Sequence, residues 1–142
     1  MITLENIRKQ AKHYNACAKV EELSGWKEAV STLLSPQGRE FAVKTQYPSL
    51  DVWRDMIDLS KEGVYLDRKG VVATDYNNIF VGDTTAVVVA DKNEQIYHIM
   101  AYHGATVVVY ARKYSVVNIT EVGDVNVNVV TDGTSKVYRY ER

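Results

Sequence analysis

Gly104-Ala105-Thr106-Val107-Val108-Val109-Tyr110-Ala111, followed by Ser115-Val116-Val117-Asn118-Ile119 and then Val125-Asn126-Val127-Asn128-Val129, decides the fold of this 142-residue chain. Val107, Val117, Val127 and Val137 stand ten residues apart. Two residues beyond each come Val109, Ile119, Val129 and Arg139, and two before each come Ala105, Ser115, Val125 and Ser135. The beat extends backward to Tyr97 with Ile99, to Val87 with Val89 and, after a two-residue slip, to Ile79 with Val81. Alternation within each unit is the period of a strand, so the region reads as a repeat of short strands.

Strands at this spacing fit two architectures. One is an antiparallel β-sandwich or meander; the other is a parallel β-solenoid whose coil of about 20 residues holds two strands. Equivalent positions match in size as well as polarity, which stacking of like on like produces and a meander does not require. The connectors, such as Ala90-Asp91-Lys92-Asn93-Glu94 and Tyr110-Ala111-Arg112-Lys113-Tyr114, are also longer than a two-residue hairpin loop. Asp132-Gly133 is the counter-signal, being a good hairpin turn. The solenoid is the preferred reading, with Val107 stacked on Val127 and Val117 on Val137.

Upstream, the punctuation is helical. Thr3 caps a segment with Leu4, Ile7 and Ala11 on one face. Trp26, Ala29, Val30, Leu33 and Leu34 make a second apolar stripe, Ser35-Pro36 opens a third helix with Phe41 inward, and Pro48-Ser49 opens a fourth carrying Leu50, Trp53, Met56 and Ile57. The chain therefore divides into a helical cap, residues 1–63, and a β-repeat region, residues 64–142. No Gly, Pro or Ser-rich linker separates them, so the two are expected to pack as one body in an α+β fold. Both faces of the strands around Val87 to Ala90 and Thr106 to Tyr110 are apolar, which calls for a cover over the outer face.

Composition narrows the function. Seventeen basic and eighteen acidic residues give a net charge of −1, without the basic excess of a nucleic-acid binder. No window approaches the ~20 apolar residues of a membrane span, and the N-terminus lacks the pattern of a signal peptide. The lone Cys17 forms no intramolecular bridge. These features point to a cytoplasmic protein bound to neither nucleic acid nor membrane.

No motif defines an active site. His98 and His103 are five residues apart, so on a strand they point to opposite faces and do not make a metal pair. His13 and Cys17 share a helical face but lack a third, orienting residue. Asp51, Asp55 and Asp58, like Glu21 and Glu22, fall on polar helix faces rather than in the paired geometry of a glycosidase. The glycine-rich phosphate loops and the H-E-x-x-H helix are absent. No catalytic residue, metal ligand or cofactor is assigned. Of the ten tyrosines, Tyr138 and Tyr140 fall where an end cap is needed. Tyr110 and Tyr114 flank Arg112 and Lys113, and this corner, Tyr110, Arg112, Lys113 and Tyr114, has the composition of a binding surface.

The run from Gly104 to Ala111 with Tyr114-Ser115-Val116-Val117 resembles the A-x-V-x-A-Y repeats of small phage and prophage proteins of gut bacteria that carry a short β-helix. Glu121 and Thr131 stand where that pattern has alanines. The likeness implies a mobile-element setting and transfers no functional residue. The functional expectation is a non-enzymatic binding or assembly module that engages a protein partner or a second copy of itself. Alternatives are a hydrolase acting on a saccharide along the solenoid face and an inhibitor of a host protein.

Overall fold

The computed structural model describes residues 1–14 and 24–141. Among the described residues four α-helices come first, α1 Leu4–His13, α2 Trp26–Leu34, α3 Pro36–Thr45 and α4 Leu50–Arg54, with a single 3-10 turn at Ser60–Glu62. Nine strands follow: β1 Val64–Leu66, β2 Val71–Ala73, β3 Asn77–Val81, β4 Thr85–Ala90, β5 Ile96–Tyr102, β6 Thr106–Ala111, β7 Val116–Val122, β8 Asn126–Thr131 and β9 Lys136–Tyr140. Odd strands form one sheet in the order β1-β3-β5-β7-β9 and even strands form a second in the order β2-β4-β6-β8. Every pairing is parallel. The chain is a β-solenoid with an N-terminal helical cap.

The helix starts follow from their caps. The Thr3 hydroxyl accepts from the Asn6 amide while Asn6 accepts from the Thr3 amide, a reciprocal capping box. Ser35 caps α3, with Pro36 in the first turn where its missing N–H leaves no bond unmade. Ser49 caps α4, which stops at Arg54, so Met56 and Ile57 lie beyond it.

The two expected stacks are present: Val107 pairs with Val127 and Val117 with Val137. Inside the solenoid Val107, Val109, Val117, Ile119, Ala105 and Tyr97 are fully or almost fully buried. Ser115 is buried too, and its hydroxyl lies 3.2 Å from that of Ser135 in the next coil and donates to the Ala90 carbonyl. Asp132-Gly133 turns a corner between the sheets rather than a hairpin, because β8 and β9 belong to different sheets.

Extending the beat backward gives the wrong face at two places. Val107 pairs with Ala86 and Val109 with Val88, so Val87 and Val89 point outward. Ile99 pairs with Asn78 and Ala101 with Phe80, so Ile79 and Val81 point outward as well. The corner between β4 and β5 holds five residues, 91–95, whereas the later corners 112–115 and 132–135 hold four. One extra residue changes the spacing between stacked positions from twenty to twenty-one, and a one-residue shift exchanges the two faces of a strand.

The cap lies on the outer face of the five-stranded sheet. Val30, Leu34, Ala42, Val43, Trp53 and Leu59 form one cluster with Ile79, Val81, Met100, Tyr102 and Val122. The Trp53 and Tyr102 rings meet edge to face at 5.2 Å, and the Tyr102 hydroxyl donates to the Tyr47 carbonyl at 3.3 Å. Arg54 clasps Asp67 with two bonds of 2.9 and 3.1 Å, tying α4 to the first corner. The expected cover therefore exists, but over a different sheet from the one that carries Val87 and Val108.

Tyr138 and Tyr140 are 57% and 45% exposed and point outward from β9, so they do not plug the solenoid. The end is closed by a charged pair instead. Glu121 is 8% exposed, and Arg139 donates to both its carboxylate oxygens and to the Val127 carbonyl in the opposite sheet. A guanidinium spans the gap between the sheets that a phenol at an outward position cannot reach. Among the described residues, no helix is long and apolar enough to cross a membrane.

Candidate functional site: the open sheet and its basic corner

Among the described residues, no helix packs on the outer face of the four-stranded sheet. In-register stacking converts its outward residues into three ladders: Thr85, Thr106 and Asn126; Val72, Val87, Val108 and Asn128; Val89, Tyr110 and Val130. Val72 is 71% and Val130 50% exposed, while Val87, Val89, Val108 and Tyr110 are half-buried only because their neighbours on the same face shield them. The result is a flat apolar patch bordered by hydroxyls and amides.

Tyr110 joins this patch to the corner at 112–115. The Arg112 guanidinium sits over the Tyr110 ring, 5.3 Å from its centre, a cation–π contact that fixes the charge beside the apolar surface. Lys113 and Tyr114 both adopt left-handed backbone, with φ of 55° and 60°. That geometry is held from the next coil: the Lys113 amide donates to Asp132 at 3.1 Å and the Tyr114 amide to Thr134 at 3.0 Å. Bonds from the Thr134 hydroxyl, the Thr134 amide and the Lys113 amide hold the Asp132 carboxyl below its ordinary pKa. Tyr114 is 63% exposed. The four residues singled out from sequence thus lie together at one margin of the open sheet, although Tyr110 faces the sheet and Tyr114 the solvent.

The imidazoles are apart. His98 projects from the outer face of β5 with its Nδ1 buried and unpartnered, while His103 turns a corner at φ 48° with Nε2 2.9 Å from the Pro48 carbonyl oxygen. Among the described residues no group of three or more His, Cys, Asp or Glu is arranged to hold a metal. Cys17, Glu21 and Glu22 lie outside the described residues.

One recess escaped the sequence reading. The helices line an apolar recess of about 350 Å³, open on one side, whose walls include Trp26, Leu33, Phe41, Tyr47, Trp53 and Met56. Burial raises the Tyr47 phenol well above its ordinary pKa, and its hydroxyl donates to Gln10 at 2.9 Å. Apolar stripes were evident in each helix, but the space left between four of them is a property of their packing, for which a stripe gives no signal.

The fold and its exposed surface define a capped parallel β-solenoid with one covered and one open sheet. No family model matches the chain, and no curated protein or solved structure shows significant similarity to it.

Proposed function

We propose that the chain is a non-enzymatic binding or assembly module that engages a protein partner through the outer face of the four-stranded sheet. One observation carries the reading: the cap buries the outer face of one sheet and leaves the apolar ladders of the other in water. A rigid, flat apolar surface with a tyrosine and a fixed arginine at its margin has the composition of a protein interface core. Arg112 and Lys113 favour a partner with acidic residues opposite that margin. The outward positions of the described strands carry no carboxylate, so the converging acids that a saccharide-cleaving face requires are missing from these two surfaces. A mobile-element setting rests on the repeat likeness alone.

Val108→Lys places a charge at the centre of the patch without touching the interior. It is expected to abolish capture of the partner from lysate while leaving thermal unfolding within a few degrees of the parent. Capture that is unchanged by Val108→Lys and by Tyr110→Ala would refute the assignment. Light scattering distinguishes a second copy as the partner, because the same substitution would then lower the measured mass.

A further inference from the structure

Beneath the edge of the cap, three side chains carry buried polar atoms with no partner: Nε of Arg39, Nδ1 of His98 and Oγ1 of Thr120. They belong to one neighbourhood. His98 and Asn118 are register partners on the outer face of β5 and β7, and Thr120 lies two residues further along the same face of β7. Arg39 shares a face of α3 with Ala42 and Val43, one turn nearer the N-terminus. Ala42 and Val43 share a buried cluster with Met100, Tyr102 and Val122, and Gln46, which ends α3, lies beside Gly123 just past the end of β7, so helix and strand run in the same direction. One helical turn back from those contacts is about 5.4 Å, and two strand residues back from Met100 and Val122 is about 6.6 Å, so Arg39 falls over the row of His98 and Thr120. Burial, and after it the positive charge of Arg39, holds the imidazole below its ordinary pKa.

Buried polar groups are normally satisfied, and each exception asks for an explanation. Here the exceptions are a cation, a neutral imidazole and a hydroxyl, and Arg39 has no carboxylate partner among the described residues. What the cluster lacks is an acceptor with negative charge. With His98 neutral the site carries a single positive charge, which matches a monoanion better than a phosphate dianion. Arg39, His98 and Asn118 are half-buried and Thr120 is fully buried at the floor; the unpartnered atoms themselves are shielded from water, so an anion reaches them by displacing the half-buried Arg39 side chain. Tyr138 and Tyr140, on the neighbouring strand, are the register partners of Asn118 and Thr120 and line the same face with exposed rings.

We propose that Arg39, His98, Asn118 and Thr120 form a binding site for the carboxylate of a small organic acid, with Tyr138 and Tyr140 as an apolar wall for its carbon skeleton. The guanidinium donates through Nε, the Thr120 hydroxyl and Asn118 amide donate from the sheet, and His98 donates through Nδ1 once the anion favours that tautomer or its protonated form. The site is on the opposite sheet from the proposed protein interface and is independent of it.

Acetate, benzoate and inorganic phosphate, titrated into the full chain by calorimetry with His98 followed by NMR, test this assignment. Saturable binding is expected for benzoate and more weakly for acetate, with the His98 pKa rising on saturation because a carboxylate beside imidazole favours its protonated form. Arg39→Gln is expected to weaken benzoate at least tenfold, and Tyr138→Ala to reduce the advantage of benzoate over acetate. The unmodified chain provides the His98 readout whether or not Arg39→Gln folds, and Thr120→Val supplies a second substitution at the floor. No saturable carboxylate binding, an unmoved His98, or phosphate bound more tightly than benzoate would overturn the proposal.

Discussion

At the scale of single residues, corners are where the chain is least free. Gly123 has φ of +74°, and a Cβ there would sit 2.8 Å from His103 Nδ1. That ring is held by its other nitrogen at the Pro48 carbonyl, so it cannot swing aside. Gly123→Ala is expected to destabilise the protein by about 1–3 kcal/mol, measured by urea unfolding. Gly133 also has positive φ but faces open space, so its alanine variant bears only the backbone term and is expected to lose less. Asp67 gives a pH signature. Hydrogen bonds from Arg54 hold its carboxyl below the ordinary value, so its contribution is present above the unfolded pKa of about 4 and lost as pH falls through the lower folded one. The pair is a third to a half exposed, which limits the effect to about 1 kcal/mol or less. Asp67→Asn is therefore expected to lower stability at pH 7 and to converge with the parent as the pH falls through the lowered folded pKa, followed by thermal melts from neutral to acid pH.

At the scale of elements, the two faces of a strand respond differently. Ile119 is 1% exposed inside the solenoid, between Ile99 and Arg139 in the register. Ile119→Ala is expected to cost about 2–5 kcal/mol, whereas Val108→Thr on the open face is expected to change stability by no more than about 0.5 kcal/mol. Denaturant midpoints of the two variants check the assignment of inside and outside. Much of this was legible beforehand, because parallel in-register stacking places residues of similar size above one another and so writes itself into the sequence as a period. Val107 over Val127 was readable for that reason, as were the caps at Thr3, Ser35 and Ser49, whose hydroxyls act within one turn. The faces of Val87 and Ile79 were not, because the single added residue in corner 91–95 has no chemical mark that distinguishes it from an ordinary polar corner. Of the candidate site, the Tyr110 to Tyr114 corner could be read from local composition. The Arg39 cluster could not, since it joins residues 81 positions apart, Arg39 and Thr120, and only the docking of α3 on the sheet brings them together.

At the scale of the molecule, the placement of the cap decides which surface remains available. Ile79, Val81, Met100, Tyr102 and Val122 have no exposure in the full chain, and all five lie outside the solenoid interior, covered by helices from the first sixty residues. Without those helices the repeat region would present two apolar sheets to water rather than one. Residues 64–142 expressed alone are therefore expected to self-associate and to bind a hydrophobic dye at concentrations where the full chain does so less, with light scattering and dye fluorescence as the readouts. Adding Tyr102→Lys and Val122→Lys to that fragment should restore its solution size towards that of the full chain, since exposed contiguous apolar surface is what drives the association. Val108→Lys, on the other sheet, should leave the new association in place. A fragment that stays as monodisperse as the full chain would mean that the strand stack protects its own outer face, and the asymmetry between the two sheets would then no longer single out the open one for recognition.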